Sequence, residues 1–381
     1  MIYFDNAATT PPYPEVVSEF SYVSSTFFGN SESNHFIGRE ASKKLEEARK
    51  KGLSLLNVSQ THNLLFTSGA TESNNLALKG VAIQYQNRGK KILVSSLEHP
   101  SVYRPLDELE KLFGFKIVRL KSNKDGQVDL EDLSKKIDKD VILVSIMAVN
   151  NEIGSKNDLE AISKIIKEYP KCFFHVDATQ ALGKIDLPIS LIDLLSFSSH
   201  KFGGIKGSGG LIYRKNIKFM PILAGGEQES GFRSGTVNLA GAVSTVKALD
   251  ISLKNKKETY QKVKEIYEYL WNYFADNPEQ YLLHSKSISS SQTPFVLNVG
   301  FAKKKASVIV EALSNKEIYV SSVSACSTKE AHASATLLSL GYPFEEAENS
   351  IRISFGSANT LDEAKIFVTE LEKTMKEVVD R

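Results

Sequence analysis

The sequence is poor in cysteine and proline and contains no long apolar run. Among 381 residues there are two cysteines, 11 prolines and 23 glycines. Cys172 and Cys326 are too few for a disulfide framework, and they lack the clustering of a zinc site, so we expect no metal centre. Two isolated thiols favour a reducing compartment. The modest proline and glycine content excludes a collagenous or low-complexity chain.

An excess of charge of one sign is also missing. The chain has 47 Lys and Arg against 45 Asp and Glu, which gives a formal net charge of +2. Without a basic stripe carrying interleaved aromatic residues, we expect no direct nucleic acid binding. No run approaches the ~18 apolar residues of a membrane span, and no basic and apolar segments mark a secretory signal near Met1. We therefore expect a cytoplasmic protein that does not bind membranes.

The sequence does contain short apolar runs that alternate with longer amphipathic segments between about residues 35 and 255. This alternation predicts an α/β fold with a mainly parallel sheet covered by helices on both faces. The runs that we predict as strands are 64–67, 91–95, 115–120, 141–149, 172–177, 193–197 and 209–213. An oxygen-bearing residue followed three positions later by an acid predicts helix N-caps at Asn157, Asp129 and Thr360.

After Asp250 the pattern changes. A long helix at about 256–275 is predicted to precede two or three strands, a Ser-rich stretch and a final helix that runs from 361 to the end. We therefore predict a large domain over residues 15–255 and a smaller α+β domain made of residues 1–14 and 256–381.

One lysine follows a predicted strand in a setting that suits covalent chemistry. Lys201 comes after the apolar run 194–197, between hydroxyl-bearing residues and a glycine pair. An amine held at a pocket rim can form a Schiff base once burial and neighbouring charges lower its pKa. For this segment alone, a lysine that opens an exposed loop is the alternative.

An aspartate ends a second apolar run, at Asp177. A buried carboxylate needs a partner, and the protonated ring nitrogen of pyridoxal phosphate is one. A strand-end aspartate that caps the following turn is an equal alternative.

The segment 64–73 is a candidate phosphate site. Its small residues lead from a strand into a helix, so backbone N–H groups and the Thr71 hydroxyl can approach a phosphate. Simple helix capping is the alternative interpretation. His99 follows another predicted strand. It could stack on a planar ring and transfer protons, and a hydrogen-bonded structural histidine is the alternative.

These motifs occur in the same order and at similar spacing in cysteine desulfurases, which the sequence resembles from Tyr3 to Arg352, essentially its whole length. The motifs are 3–10 (YFDNAATT), 68–73 (SGATES), 98–99 (EH), 150–154 (NNEIG), 175–180 (HVDATQ), 198–201 (SSHK), 233–236 (RSGT), 324–326 (SAC) and 350–352 (SIR). Cysteine desulfurases are class V aminotransferase-like, fold type I enzymes. The resemblance implies a fold type I architecture, pyridoxal 5'-phosphate as cofactor and L-cysteine as substrate.

Residue by residue, the resemblance implies that Lys201 holds the cofactor covalently, that Asp177 pairs with its ring nitrogen and that His99 stacks on the ring. The residues implied to bind the phosphate are Ala70, Thr71, Ser198 and His200, with Thr236 reaching the phosphate of the neighbouring subunit of a homodimer. Asn151 and Gln180 are implied to bind the cofactor near its ring oxygen and close to the substrate. The residues implied to bind the substrate are Asn30, Asn151 and Arg352. The arginine would hold the α-carboxylate of the amino acid by a two-pronged bond, and a surface arginine on an edge strand is the alternative.

Cys326 distinguishes desulfuration from transamination. It lies in a small, polar stretch, 321–329, without core periodicity, so we predict an exposed thiol on a loop, with Lys329 or His332 as a neighbour that favours its thiolate. Cys172 lies in an apolar run and is predicted to be an inert core thiol. The resemblance implies that the Cys326 thiolate attacks the sulfur of L-cysteine, that L-alanine leaves, and that a protein acceptor collects the persulfide.

Several positions depart from the common pattern of the family. Ser31 follows Asn30 where proline is frequent, residues 328–333 differ from those of the housekeeping enzyme, and the helix 361–381 is not followed by the tail through which that enzyme docks its iron–sulfur scaffold. The first departure bears on the shape of the substrate-side loop. The other two favour a tRNA-thiolation enzyme over an iron–sulfur scaffold as the sulfur acceptor.

The other functions considered are a selenocysteine lyase or related pyridoxal phosphate enzyme and, from another class, a non-catalytic sulfur-relay scaffold. Cys326 argues against an aminotransferase, which needs no second nucleophile. Lys201, Asp177 and His99 together with that cysteine argue against a scaffold.

Overall fold

The computed structural model describes residues 1–322 and 333–379. Cys326, Lys329 and His332 lie outside the described residues, and so does most of the predicted cysteine loop. Within the described part, strands are β1 (Ile2–Tyr3), β2 (His62–Thr67), β3 (Lys91–Ser95), β4 (Lys116–Leu120), β5 (Val141–Met147), β6 (Phe173–Asp177), β7 (Leu194–Ser198), β8 (Gly209–Arg214), β9 (Tyr281–Leu283), β10 (Val296–Phe301), β11 (Ile318–Tyr319), β12 (Ser321–Ser322) and β13 (Ser350–Ser354).

The α-helices in the same residues are α1 (Pro14–Thr26), α2 (Phe36–Leu55), α3 (Ala70–Asn75), α4 (Val81–Gln84), α5 (Pro100–Phe113), α6 (Leu130–Lys136), α7 (Leu159–Ile166), α8 (Leu239–Ala275), α9 (Ala306–Ser314), α10 (Ala335–Ser339), α11 (Phe344–Glu348) and α12 (Leu361–Glu377). A π-helical segment, Leu76–Gly80, joins α3 to α4 into one helical stretch. None of the helices described here has the length and apolar character needed to cross a bilayer.

A seven-stranded sheet forms the centre of the molecule, in the order β2-β8-β7-β6-β5-β3-β4. The pairs β7-β6, β6-β5, β5-β3 and β3-β4 are parallel, and β8 is antiparallel to both of its neighbours. The predicted mainly parallel sheet is confirmed, and every predicted strand is present with ends shifted by at most two residues. The strands read as continuous apolar runs because both faces of the sheet are covered.

The parallel strands and β2 all end at the same edge of this sheet. Residues that follow β2, β3, β5, β6 and β7 therefore meet in space although they are far apart in sequence. Ligands of open α/β sheets bind beyond this carboxyl edge, and the motifs identified in the sequence lie there.

The long helix α8 begins earlier than predicted. It runs for 37 residues from Leu239, not from about residue 256. Asn238 caps it by accepting a hydrogen bond from the N–H of Gly241 at 2.9 Å, and no proline or glycine follows within it to end it near residue 250. Its first part packs in the core of the large sheet and its last part in a second core. The predicted domain boundary at residue 255 falls inside this helix and stays a prediction.

The second core surrounds a four-stranded antiparallel sheet, β12-β13-β10-β9. Two or three strands are predicted after residue 275, whereas the described residues there form five, together with the unpredicted helices α9, α10 and α11. Strands of two or three residues are too short to show a period. The N-terminal segment joins this half, because β1 pairs with β11 and Asp5 forms a bridge to Ser354.

Two of the three predicted N-caps are confirmed. Asp129 caps α6, and Thr360 forms a reciprocal capping box with Glu363 at the start of α12. The cap predicted at Asn157 is wrong, since the neighbouring Asp158 accepts from the N–H of Ala161 at 3.0 Å. The final helix ends at Glu377.

Candidate active site

A cavity of about 230 Å³ lies beyond the carboxyl edge of the seven-stranded sheet. The structure brings together ten of the predicted site residues in its wall, namely Ala70, Thr71, His99, Asn151, Asp177, Gln180, Ser198, His200, Lys201 and Arg352. Asn30 is exposed and lies outside this cavity, where its side chain accepts from the N–H of Glu32. Thr236 is exposed and is also absent from the wall, and Cys326 is outside the described residues.

Lys201 lies on a short 3-10 turn that directly follows β7. Its ammonium donates to the backbone carbonyl oxygens of Ala7 at 2.7 Å and Ala8 at 2.8 Å. The residue is half-buried in the cavity wall, so the alternative of a lysine on an exposed loop is wrong. Thr10 fixes the N-terminal segment in place, because its N–H and its hydroxyl both donate to the carbonyl of His200 at 2.8 Å.

Asp177 is the last residue of β6, and its side chain is buried. One carboxylate oxygen accepts from the amide of Asn74 at 2.8 Å and the other from the N–H of Thr179 at 2.9 Å. The two interpretations of this residue are therefore compatible, since it caps the following turn and also faces the cavity. A carboxylate in this position can pair with a protonated ring nitrogen.

The start of α3 forms a cradle for an anion. Gly69 has φ +152°, and a Cβ atom there would lie 3.1 Å from the Ser198 hydroxyl oxygen. That oxygen accepts from the N–H of Ala70 at 2.7 Å, which ties the helix start to the end of β7. Burial, together with the charge of Lys201, lowers the pKa of His200 to about 4, so its ring is neutral at neutral pH. Small residues and free N–H groups at a helix start are the usual setting for a bound phosphate.

His99 is the N-cap of α5 and presents its ring to the cavity. Its Nδ1 accepts from the N–H of Ser101 at 3.1 Å and contacts the Ser101 hydroxyl at 2.9 Å. The residue keeps an exposed surface, although the ring is also flanked by protein atoms. Desolvation therefore lowers the pKa of His99, with Asp177 opposing and Lys201 reinforcing the effect.

Arg352 lies on β13, which is an inner strand between β12 and β10. It is only 8% exposed, so the alternative of a surface arginine on an edge strand is wrong. One terminal nitrogen donates to Asp5 at 2.9 Å and the other to the carbonyl of Asn151 at 3.2 Å. Its Nε is buried without a hydrogen-bond partner among residues 1–322 and 333–379.

The segment that resumes after residue 332 is fastened beside Asn151. Glu152 is half-buried, and one of its carboxylate oxygens accepts from the hydroxyl of Ser334 at 2.5 Å. Burial raises the pKa of Glu152. Leu337 of α10 packs on Ile153 in the same small cluster. The chain from Ser334 onward is thereby held next to Asn151, which lines the cavity.

The sequence analysis missed two buried ionisable residues beside the cavity. Burial raises the pKa of Glu98 to about 8. Burial, together with the charges of Lys201 and Arg352, lowers the pKa of Lys184 to about 7. Lys184 donates to the Gln180 carbonyl oxygen at 3.1 Å, and the Gln180 amide donates to Ala7. Its spacing of four residues from Gln180 is a signal that could have identified it. Glu98 belongs to the motif 98–99, for which the sequence predicted a role only for His99.

The donor set of this cavity fits pyridoxal phosphate. An anion cradle, an amine, a carboxylate and an imidazole ring line one space. The hydroxyl of Thr179, in the same wall, is a buried polar group with no partner in the described chain. These residues can bind the four parts of the cofactor, which are its phosphate, its carbonyl, its ring nitrogen and one face of its ring.

Comparison with protein families gives a match over almost the whole chain. The model described as aminotransferase class-V matches residues 2–367. The chain is 40% identical to a "NifS/IcsS protein homolog" of Lactobacillus delbrueckii subsp. bulgaricus, with 98% of this chain and 97% of the relative covered. It is 37% identical to "Cysteine desulfurase IscS" of Dictyoglomus turgidum, with 99% and 95% covered.

Solved structures agree with these relatives. A structure titled "NIFS-LIKE PROTEIN" superposes with a TM-score of 0.90 at 33% identity and covers 99% of this chain and 100% of its own. A structure titled "SspA in complex with cysteine" gives a TM-score of 0.79 at 28% identity, with 93% and 99% covered. The predicted fold type I architecture is thus confirmed.

Proposed function

The chain belongs to the class-V aminotransferase family and is a pyridoxal phosphate-dependent cysteine desulfurase, and we propose that it passes the sulfur of L-cysteine through Cys326 to a tRNA-thiolation enzyme. The observation that carries the site assignment is the meeting of the Lys201 amine, the Asp177 carboxylate and the Gly69–Ala70 cradle around one cavity. In this proposal each predicted site residue keeps the role that the family resemblance implies.

Residues of this chain would hold the cofactor at four points. Lys201 binds its carbonyl carbon, Asp177 its ring nitrogen, and His99 one ring face. The α3 start, Ser198 and His200 receive its phosphate. When bound, the cofactor withdraws electrons from the substrate and so labilises the bonds at its α-carbon.

The protein groups then act on L-cysteine itself. Arg352, held in place by Asp5, binds the α-carboxylate in a charge-assisted bond. Lys201 lies in the cavity wall and would move the proton at Cα, while His99 would hold a proton near the substrate thiol. Lys184 donates to the side-chain oxygen of Gln180, and the amide nitrogen of Gln180 donates to the carbonyl of Ala7 in the cavity wall.

The sulfur step needs no outside oxidant. The Cys326 thiolate attacks the substrate sulfur, the carbon–sulfur bond breaks with its electron pair staying on carbon, and a proton completes L-alanine. The sulfur atom remains as a persulfide on Cys326. Thiol–disulfide-type exchange then moves this sulfur to an acceptor cysteine.

The choice of acceptor rests on two features of the sequence. Residues 328–333 differ from the pattern of the housekeeping enzyme, which favours a dedicated acceptor over an iron–sulfur scaffold protein. The near-neutral charge of +2 argues against contact with the tRNA itself, so the transfer is from protein to protein.

We further propose a cytoplasmic homodimer, in which Thr236 completes the phosphate site of the other subunit. Its exposed position, outside the cavity of its own chain, supports this role. Within each subunit we propose the division into residues 15–255 and residues 1–14 plus 256–381.

The desulfurase assignment is tested with three variants. Lys201→Ala should lose the covalent cofactor and its visible absorbance while keeping its far-UV circular dichroism. Cys326→Ser should bind cofactor and cysteine but form no alanine from cysteine. Cys172→Ser is the matched control, because this thiol is buried and burial raises its pKa, so alanine release should persist.

Two outcomes contradict the assignment. Peptide mapping that finds the persulfide on Cys172 would reverse the roles of the thiols. A chain that releases alanine only from selenocysteine would be a selenocysteine lyase. The acceptor is tested separately by depleting the protein in its native cell, where 2-thiouridine in tRNA should fall before iron–sulfur enzyme activity does. The opposite order would identify an iron–sulfur scaffold as the acceptor.

A further inference from the structure

A chain of hydrogen bonds connects Asp177 to His99 through two residues that have no role in the proposed mechanism. Asn74 on α3 donates from one amide nitrogen to the Asp177 carboxylate at 2.8 Å and to the Ser101 hydroxyl at 2.9 Å. Ser101 on α5 contacts the Nδ1 atom of His99 with its hydroxyl at 2.9 Å and its N–H at 3.1 Å. Asn74 and Ser101 are both buried, so water does not compete for the bonds that Asn74 makes to Asp177 and Ser101.

The direction of each hydrogen bond follows from the donors available. A carboxylate only accepts, so the amide nitrogen of Asn74 and not its oxygen must face Asp177. The second hydrogen of this nitrogen goes to the Ser101 oxygen. The Ser101 hydroxyl thus accepts from Asn74 and keeps its own hydrogen for Nδ1 of His99. The backbone N–H of Ser101 points at the same atom.

Two donors at Nδ1 decide the protonation of the ring. A nitrogen that accepts two hydrogen bonds carries no proton, so the proton of the neutral imidazole lies on Nε2. The amide oxygen of Asn74 is buried without a partner in the described residues. Both hydrogens of the amide nitrogen are therefore used while the amide oxygen accepts no hydrogen bond, which is unusual for a purely structural asparagine.

We propose that Asn74 and Ser101 are positioning residues that lock His99 as the neutral tautomer with its proton on Nε2 and tie this tautomer to the charge on Asp177. His99 consequently presents a hydrogen-bond donor to the space where the substrate thiol is proposed to lie. Becoming a cation would require a proton on Nδ1 and the loss of both bonds from Ser101. This inference deepens the proposed function and rests on it only for the identity of the group that His99 meets.

The pKa of His99 is expected to respond to the same network. The charged groups that act on the ring are Asp177, which raises its pKa, and Lys201, which lowers it. Desolvation is the largest influence and lowers the pKa. Donors at Nδ1 act in the same direction as desolvation, because they stabilise the unprotonated atom.

The test is nitrogen-15 NMR of the histidine side chains in the full chain loaded with pyridoxal phosphate. The sequence has seven histidines, and the His99 signals are assigned by their loss in His99→Gln. The wild type should show a proton on Nε2 and none on Nδ1 near neutral pH. Ser101→Ala removes one donor and should raise the pKa of His99 toward its ordinary value of about 6.5, with some Nδ1-protonated tautomer appearing.

Asn74→Leu removes the link to Asp177 while keeping a similar volume. Without the amide donor the Ser101 hydroxyl is free to rotate, so a mixture of His99 tautomers should appear. Asn75→Ala is the matched control, because the neighbouring amide donates only to the Thr71 carbonyl on the exposed side of the helix and should leave the His99 signals unchanged.

Each result decides the inference. A wild-type ring with its proton on Nδ1, or a cation near neutral pH, would overturn it. Unchanged His99 signals in both Ser101→Ala and Asn74→Leu would reduce the network to a packing role, and if Asn74→Leu does not fold, Ser101→Ala alone decides. A locked Nε2 tautomer in a protein that releases no alanine from cysteine would support this inference and refute the proposed function.

Discussion

The surroundings of Glu98 strongly raise the pKa of its carboxyl group. Its carboxyl group accepts from the hydroxyl of Ser95 at 2.5 Å and from the N–H of Met147 at 2.6 Å, and its other oxygen has no partner among the described residues. Burial, reinforced by the nearby charge of Asp177, raises its pKa to about 8. The folded protein therefore holds this carboxyl group protonated at neutral pH.

A folded-state pKa above the unfolded value makes stability fall as pH rises. Between the usual value of about 4.5 and about 8, the native state binds a proton that the unfolded chain has lost. Glu98→Gln keeps both acceptor contacts and cannot ionise. We expect the variant to gain stability relative to the wild type progressively across this window, to about 5 kcal/mol at its upper end. Urea unfolding of the cofactor-free protein at several pH values measures this gain.

Glu131→Gln is a suitable control for this measurement. The side chain of Glu131 is 76% exposed on α6, and its ion pair with Lys135 lies at the surface. Its stability curve should follow that of the wild type to within about 0.5 kcal/mol. Parallel curves for Glu98→Gln and the wild type would show that Glu98 is ionised in the folded protein.

At the scale of elements, the start of α7 shows how a local signal misleads. Asn157 and Asp158 are both good cap residues, and the acid three positions after Asn157 completed the expected pattern. In the structure the Asn157 side chain instead accepts from the N–H of Val128 at 2.7 Å and donates to the carbonyl of Met147 at 2.8 Å. It joins the end of β5 to a distant loop, leaving Asp158 to cap the helix.

These two neighbours should differ in their effect on stability. Asp158→Ala removes an exposed cap and should cost about 1 kcal/mol. Asn157→Ala leaves a buried N–H and a buried carbonyl without partners and should cost about 2–5 kcal/mol. Chemical denaturation of both variants measures the free energy of unfolding and checks this order. Equal losses of that free energy would show that Asn157 contributes no more than a simple cap.

The same contrast explains how much of the molecule the sequence could predict. The strands of the large sheet are predictable because each is a buried apolar run between polar segments. The strands β11 and β12 have only two residues each, so pairing with distant partners and not local pattern creates them. At the site, Lys201 and Asp177, which the motif order identified, line one cavity. Ser101 carried no signal, because a buried serine between a proline and a valine has no distinguishing pattern.

At the scale of the whole molecule, α8 is shared by both hydrophobic cores. Residues such as Val246 pack under the large sheet, and residues such as Leu270 pack under the four-stranded sheet. Lys254 lies between these two parts with an exposed side chain. A helix that is continuous through this point transmits the unfolding of one core to the other.

Breaking the helix at this point should uncouple the cores. Lys254→Pro removes a backbone hydrogen bond and clashes with the preceding turn, at a cost of about 3 kcal/mol or more. We expect one calorimetric transition for the wild type and two for the variant. Lys254→Ala, which loses only an ion pair with Asp250, should keep one transition. One transition in Lys254→Pro would show that other contacts couple the cores.

The N-terminal segment has a consequence for how the protein is made. Ala7 supplies a carbonyl oxygen to the amine of Lys201, yet its N–H donates to the hydroxyl of Ser354, which is 347 positions further along the chain. At about 5–20 residues per second, a ribosome needs roughly 20–70 s to make the chain between them. Until residues 318 and 319 are made, the nascent polypeptide carries its first strand without its partner β11, and until Ser354 is made the N-terminal wall of the cavity is not fixed. The segment that leaves the ribosome first is thus among the last to be fixed, and we expect the cofactor to bind only after Ser354 has been made.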